Sequence, residues 1–115
     1  MEPDHPTREK SMSKGVTVTV TWAIKPELAD AFAEFLGGMF PVTRQHKGFR
    51  NIRLLRGDAE PNQFVLIEEW DEVQNFHDYA RFRVETGDTE KLLAMTASYP
   101  QMGVWKLNPL AEAQA

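Results

Sequence analysis

The chain has 115 residues, a formal net charge of −4 and no cysteine. This length predicts one domain. The absence of cysteine excludes a disulfide scaffold and thiolate metal sites. The negative net charge argues against nucleic-acid binding, which requires a basic surface. No segment is apolar and long enough for a secretory signal or a membrane span, so a cytoplasmic protein is expected.

Both ends of the chain are expected to lie outside the folded domain. Residues 1–13 carry five charges and two prolines without an apolar run, a composition typical of a disordered tail. The domain is predicted to span residues 14–108, and residues 109–115 are predicted to form a C-terminal tail.

The first predicted elements are a strand and a helix. In GVTVTVTW, from Gly15 to Trp22, valine and tryptophan alternate with threonine, which is the period of a strand with two different faces. Pro26 suits the first turn of a helix, and large apolar residues follow at helical spacing. Two glycines and Pro41 weaken the end of this helix, so we expect it to break before His46.

The next two strands are predicted to form a hairpin. They span Phe49–Arg56 and Phe64–Trp70, and the segment GDAEPN between them has the composition of a turn. Opposed residues of a hairpin point to the same side. Matching the apolar residues of the two strands predicts the set that lies beneath the helices: Ile52, Leu54, Val65 and Ile67.

Two helices and a fourth strand complete the pattern. Asp71 is predicted to cap the second helix in a capping box with Gln74, and the buried stripe of this helix is predicted to comprise Val73, Phe76, Ala80 and Val84. A third short helix begins at Asp88, and YPQMG is predicted to be a loop before the strand GVWKL. This order predicts an α+β fold, the ferredoxin-like split βαβ, in which a four-stranded antiparallel sheet carries its helices on one face.

Such a fold leaves one face of the sheet without helices. The predicted register places a mixed set of side chains there: Phe49, Asn51, Arg53, Leu55, Phe64, Leu66, Glu68 and Trp70, with Thr17, Thr19 and Thr21 of the first strand. Large apolar groups beside a few polar ones are typical of a small-molecule pocket. They would equally suit a dimer core in which Arg53 and Glu68 satisfy each other.

Three segments resemble the antibiotic biosynthesis monooxygenase (ABM) family of the dimeric α+β barrel superfamily: VTVTVTWAIKPE, FPVTRQHKGFRNIRLLRGDAEPNQFVLIEEW and VQNFHDYARFR. The resemblance covers Val16 to about Leu107. It implies a homodimer whose two sheets pack face to face, with a pocket in each subunit between sheet and helices. Trp70 matches a tryptophan that lines this pocket in several members.

The resemblance also implies an activity, because the family includes oxygenases that convert phenols or hydroquinones into quinones without a cofactor. Such a reaction needs a proton acceptor, oxyanion stabilisation and exclusion of water. The candidate catalytic residues are Glu68 as proton acceptor, Arg53 beside a phenolate, Trp70 stacked on the ring and His46 as a base at the pocket mouth. The candidate substrate-binding residues are Thr19, Asn51, Phe64, Leu66, Tyr79, Phe82 and Arg83.

Each candidate also has a structural interpretation, and the protein as a whole would equally be a non-catalytic small-molecule binder or a structural dimer. Trp70, Tyr79 and Phe82 are residue types that fill cores, and Arg83 would be a solvated helix charge. Haem degradation is less favoured, because the haem degraders of the family use a histidine on the later helix and no histidine follows His77. The three histidines show no metal-ligand spacing, so no metal site is predicted.

Overall fold

The computed structural model describes residues 15–108, and the predicted tails lie outside the described residues. The elements in chain order are β1 (Val16–Ile24), a 3₁₀ turn (Pro26–Leu28), α1 (Ala29–Gly38), α2 (Phe40–Thr43), β2 (Phe49–Arg56), β3 (Gln63–Trp70), α3 (Val73–Glu85), α4 (Asp88–Ala94) and β4 (Thr96–Trp105). No helix of the described chain is long and apolar enough to cross a membrane.

The four strands form one antiparallel sheet in the order β2-β3-β1-β4, which confirms the predicted α+β, ferredoxin-like fold. The predicted break in the first helix is also confirmed, since α1 ends at Gly38 and α2 starts at Phe40. The predicted loop YPQMG is wrong, because these residues belong to β4. Pro100 is tolerated there because β4 is an edge strand and its pairing with β1 shifts register nearby.

The register of the β2–β3 hairpin differs by one residue from the predicted one. The pairing shifts between Phe49 and Asn51, so that Leu54 lies opposite Leu66. As a result, the β3 residues that face the helices are the buried set Phe64, Leu66, Glu68 and Trp70, and the predicted placement of these four on the uncovered face is wrong.

Aromatic burial explains why this register is preferred. It places the large rings of Phe64 and Trp70 beneath the helices, where each is at most 1% exposed. Buried aromatic side chains contribute more apolar area than the valine and isoleucine that the other register would bury. In this register Arg50 pairs with Asp71, whose Oδ1 lies 2.6 Å from Arg50 Nε.

Helix α3 begins one residue later than predicted and buries a different stripe. Its N-cap is Glu72, whose capping box is completed by Asn75, so the predicted box of Asp71 and Gln74 is wrong. Val73 and Val84 of the predicted stripe are exposed. The buried residues of α3 are Phe76, Tyr79 and Arg83, because the helix turns this face, rather than the one centred on Ala80, toward the sheet.

The core between sheet and helices has two separate clusters. The first joins α1 to the sheet and contains Trp22, Ile24, Ala29, Phe32, Leu36, Met39, Phe64, Leu66 and Leu92. The second joins α3 to the sheet and contains Val16, Val18, Trp70, Phe76 and Tyr79. The junction of the two clusters is where the polar residues described below are buried.

The outer face of the sheet is not covered by any helix of residues 15–108. Side chains of a strand alternate between faces, so this face carries Thr17, Thr19 and Thr21 of β1, as predicted, with Val65 and Ile67 of β3. Trp105 of β4 lies on the same face, 58% exposed, and its Nε1 donates a hydrogen bond to Thr19 Oγ1 at 2.8 Å.

Candidate active site

A cavity of about 170 Å³ lies at the junction of the two core clusters, between the sheet and the helices. Its wall is mostly apolar and contains a few polar groups, the composition typical of a ligand site. The lining residues that matter for the chemistry are Trp22, Leu66, Glu68, Tyr79 and Arg83.

Glu68 supplies a carboxyl group to this cavity while being only 3% exposed. The indole Nε1 of Trp70, two residues further along β3, donates a hydrogen bond to Glu68 Oε1 at 2.9 Å. Burial raises the pKa of Glu68 to about 7, although the hydrogen bond from Trp70 and the charge of Arg83 oppose the rise. Glu68 therefore exchanges its proton close to neutral pH.

Tyr79 is held by a chain of hydrogen bonds. The Thr43 hydroxyl donates to the Met39 carbonyl at 3.0 Å. Since its single proton is used there, Tyr79 is the donor in the 2.7 Å bond to Thr43 Oγ1 and accepts from Arg83 Nε at 2.8 Å. Burial raises the pKa of the Tyr79 hydroxyl, while the bonds with Thr43 and Arg83 act against the rise. Tyr79 is thus a fixed, neutral part of the wall.

Arg83 is the centre of this network and is 7% exposed, not a solvated helix charge. Its Nη1 donates to Asp88 Oδ2 at 2.7 Å and its Nη2 donates to the Met39 carbonyl at 2.9 Å. Met39 is the C-cap of α1, where a cation stabilises the exposed carbonyls. Arg83 therefore ties α3 to the end of α1 and the start of α4.

His46 lies beside the network rather than at the cavity mouth. Its ring contacts Tyr79 edge-on, with centroids 5.0 Å apart, and packs on Phe82 at 4.6 Å. Burial and the charge of Arg83 lower the pKa of His46, which favours the neutral form of its imidazole. The residues that line the cavity do not include His46 or Phe82.

The structure divides the predicted site residues into three groups. Those that line the cavity are Leu66, Glu68, Tyr79 and Arg83. Those that support its walls from within the core or at its edge are Phe64, Trp70, His46 and Phe82. Those that lie on the outer face of the sheet, away from the cavity, are Thr19, Asn51 and Arg53, because the one-residue register shift separates Arg53 from Glu68.

Sequence reasoning missed four residues of this region: Trp22, Met39, Thr43 and Asp88. Trp22 alternates with the threonines of β1 as the valines do, but this alternation does not mark it as a cavity residue. Thr43, Met39 and Asp88 interact with Arg83 across 40, 44 and 5 positions of the chain. The two contacts across 40 and 44 positions leave no local pattern, so only the tertiary structure reveals them, whereas the contact with Asp88 joins the end of α3 to the start of α4.

No group of three or more His, Cys, Asp or Glu side chains within residues 15–108 is arranged to hold a metal ion. The chemistry that the cavity itself offers is proton exchange at Glu68 in a largely apolar space. The low polarity of the cavity and the fixed hydrogen bonds around Glu68 both strengthen the electrostatic interactions of Glu68 with a bound polar group.

Comparison with known proteins relates the chain to a described family and to solved structures. The family model for antibiotic biosynthesis monooxygenase matches residues 15–84, from the start of β1 into the last turn of α3. No curated protein sequence matches the chain.

The solved structures with a similar fold share little sequence with the chain. A conserved protein from Methanosarcina mazei Go1 has a TM-score of 0.77 at 15% identity, covering 88% of this chain and 99% of that one. An antibiotic biosynthesis monooxygenase has a TM-score of 0.74 at 21% identity, with coverages of 82% and 99%. SnoaB, a cofactor-independent oxygenase from Streptomyces nogalater, has a TM-score of 0.71 at 18% identity, with coverages of 87% and 100%.

Proposed function

The chain belongs to the antibiotic biosynthesis monooxygenase family, and from this premise we propose that it oxidises a small phenol or hydroquinone with dioxygen, using no metal or flavin. The observation that carries the proposal is the buried carboxyl group of Glu68 in the wall of the cavity, with its pKa raised to about 7. An acid–base group is most effective when its pKa lies near the working pH.

The reaction balances without an external reductant. The phenolic hydroxyl gives its proton to the Glu68 carboxylate, and the electron-rich ring then reacts with dioxygen at a carbon that carries hydrogen. One oxygen atom is retained on that carbon, so that a phenol gives a quinone and a hydroquinone gives a hydroxyquinone, and the other oxygen atom leaves as water. The substrate loses four electrons, which is the number that dioxygen takes up on full reduction, and the proton held by Glu68 is returned in the water.

Each side chain has a limited task in this scheme. Glu68 accepts and returns the proton, and Trp70 positions it through the bond to Oε1. Tyr79 and Arg83 form a rigid wall because their polar atoms bond to each other, and the apolar remainder of the cavity excludes water from the anion. Arg53 has no task here, since it lies on the outer face of the sheet.

We expect the protein to consume dioxygen when given phenol, hydroquinone or naphthohydroquinone as trial substrates. An oxygen electrode and the quinone absorbance should report one molecule of dioxygen used for each quinone formed, above the rate of spontaneous oxidation in a protein-free control. If these compounds raise the melting temperature, as ligands of the native state do, but cause no oxygen uptake, the protein is a small-molecule binder and the proposed activity is wrong.

The second part of the proposal is a homodimer formed by the uncovered sheet. The outer face presents half-buried Val65 and Ile67, and large apolar side chains are exposed nearby, among them Leu55 at 45% and Trp105 at 58%. Contiguous apolar surface of this kind is typical of an interface between subunits. A second copy, packed sheet to sheet, would cover it.

Sedimentation tests this arrangement. We expect the wild-type protein to sediment as a dimer and the Ile67→Glu variant as a folded monomer, because the interface would then bury a carboxylate at the centre of the outer face, a cost that the cation of Arg53, opposite it on β2, offsets only in part. Val84→Glu is the matched control, since Val84 is an exposed apolar residue of α3, at 61% exposure, and lies away from the sheet. A wild-type monomer, or a dimer that survives Ile67→Glu, would contradict the proposed interface.

A further inference from the structure

The cavity is partly open to solvent, and the burial of its wall residues indicates where it opens. Of the described residues that line it, Val20, Ala80 and Thr89 are half-buried and the others are buried. Val20 lies on β1, Ala80 on α3, and Thr89 in the first turn of α4. The mouth of the cavity is therefore the gap between these three residues.

The pairing of β1 with β4 places one further side chain beside this mouth. Val20 is half-buried, whereas the other helix-facing residues of β1 are buried: Val16, Val18, Trp22 and Ile24. Val20 lies opposite Met102 of the edge strand β4. Directly opposed residues of antiparallel strands point to the same side of the sheet. Met102 is therefore the neighbour of Val20 on the helix-facing side, just outside the cavity.

The helices leave β4 uncovered on this side of the sheet. Met102 is 60% exposed, and Val104, which lies opposite the buried Val18, is 46% exposed, although both point to the side that carries the helices. None of the residues of β4 is buried. Two exposed apolar side chains thus continue the apolar wall of the cavity beyond its mouth, and exposed apolar surface next to a pocket is typical of a ligand-binding groove.

The position of Glu68 determines which end of a ligand lies at the mouth. Glu68 is on β3 and Met102 is on β4, with β1 between them, so two strand spacings, about 10 Å, separate their strands. Glu68 is also only 3% exposed, which places it at the closed side of the cavity. When a hydroxyl group of the ligand bonds to Glu68, the opposite end of the ligand points toward β4.

We propose that Met102 is a specificity-determining residue at the mouth of the cavity, where it contacts an apolar substituent of a ring whose hydroxyl group faces Glu68. This assignment rests on the proposed function for its use of the same cavity and adds an apolar extension to the substrate class. The unbranched thioether side chain of methionine adapts to substituents of different shape. A charged substituent is disfavoured there, because it would lose water against Met102 and Val104 without gaining a partner.

Calorimetric titrations under nitrogen with phenol and para-butylphenol test the contact. Met102→Ala should weaken the binding of para-butylphenol about fourfold, the equivalent of one buried methylene group, and leave phenol binding within about twofold. Met102→Lys should weaken para-butylphenol further and strengthen 4-(4-hydroxyphenyl)butanoate, whose carboxylate would meet the new cation. Leu107→Ala, at another exposed apolar residue, is the matched control and should change neither affinity. Equal effects of Met102→Ala on both phenols, or none on para-butylphenol, would overturn the proposal.

Thiol protection locates the mouth independently of affinity. The chain has no cysteine, so Met102→Cys introduces a single thiol. Saturating para-butylphenol should slow the reaction of this thiol with a maleimide, whereas phenol should leave its rate unchanged. The matched control, Leu107→Cys, should react at the same rate with and without either compound. A thiol at position 102 that para-butylphenol does not protect, or that is unreactive in the free protein because a partner subunit covers it, would contradict the assignment.

Failure of this inference is distinguishable from failure of the proposed function, because both tests measure binding without turnover. Oxygen uptake by a protein whose Met102→Cys thiol is not protected would overturn the role of Met102 and leave the monooxygenase proposal standing. Protection of that thiol by para-butylphenol without oxygen uptake would establish the mouth of the cavity and refute the activity.

Discussion

Replacing Glu68 with glutamine is expected to lower kcat/KM by about 10²- to 10⁴-fold, the usual contribution of a positioned general base. The amide has the shape of the carboxyl group and still accepts the hydrogen bond of Trp70, but it cannot take a proton from the substrate. In the wild-type protein, kcat/KM should rise with pH and level off above about 7, because the carboxylate form appears through the pKa of Glu68. Initial rates of oxygen uptake across this pH range measure both effects.

The stability of the same variant provides its control. Burial raises the pKa of Glu68 from 4.5 to about 7, so the folded protein holds a proton that the unfolded chain releases between these pH values. The contribution of Glu68 to stability is therefore complete below pH 4.5 and is lost as the pH rises through 7. Since the glutamine does not titrate, the free energy of unfolding of Glu68→Gln should gain on the wild type by about 2.5 kcal/mol between pH 5 and 8.

Urea unfolding at both pH values measures this difference. A variant that is inactive and also less stable than the wild type at the higher pH would indicate damage to the core rather than loss of a base. Wild-type activity in a folded Glu68→Gln protein would remove Glu68 from the mechanism.

The Arg83→Met variant is expected to lose about 1–3 kcal/mol of unfolding free energy, the usual cost of removing a hydrogen-bonding partner from buried polar groups, because Arg83 is buried while its ion-pair partner Asp88 is only partly so. Methionine fills much of the same space but removes one donor from each of three acceptors: Asp88 Oδ2, Tyr79 Oη and the Met39 carbonyl. Thr86 still donates to Asp88, and Thr43 still donates to the Met39 carbonyl. The loss should appear in urea unfolding compared at equal protein concentrations, since a dimer would make stability depend on concentration.

Arg81→Met is the matched control for this prediction. Arg81 lies on the same helix, is 65% exposed and approaches Asp78 only at 3.8 Å, so its replacement should change the unfolding free energy by no more than about 0.5 kcal/mol. Arg83→Lys keeps the charge but cannot form all three bonds at once, and should recover only part of the loss. If Arg83→Met and Arg81→Met cost the same, the Arg83 network is not a source of stability.

Most of the fold could be predicted because its signals are local. The alternation in β1, the turn composition of GDAEPN and the helical spacing of α1 each depend on neighbouring residues, and the element order followed from them. The hairpin register could not be predicted in the same way, since it depends on a shift between Phe49 and Asn51 and on which side chains the helices can bury. The presence of Glu68 on β3 favoured the wrong register, in which Glu68 lies on the uncovered face, because a charged residue ordinarily avoids the core.

The site could be predicted only in part, because it too depends on contacts between residues that are distant in the sequence. Glu68, Trp70 and Tyr79 were identified as candidates from residue type and family resemblance, and they do lie close to one another. Arg53 was paired with Glu68 through the wrong register, and the buried role of Arg83 was not visible because its partners are on α1, α2 and α4. Whether a polar residue is buried depends on partners far along the chain, which composition and periodicity do not reveal.

The division of the core into two clusters has a consequence for how such proteins diversify. The cavity lies where the clusters meet, and its wall residue Thr89 belongs to neither cluster, whereas Ala80 packs against the second one. Exchanges at Thr89 would alter the shape of the space available to a ligand while leaving the side chains of both clusters unchanged. A lineage with this architecture can therefore acquire new chemical preferences through single substitutions and keep a folded protein at every step.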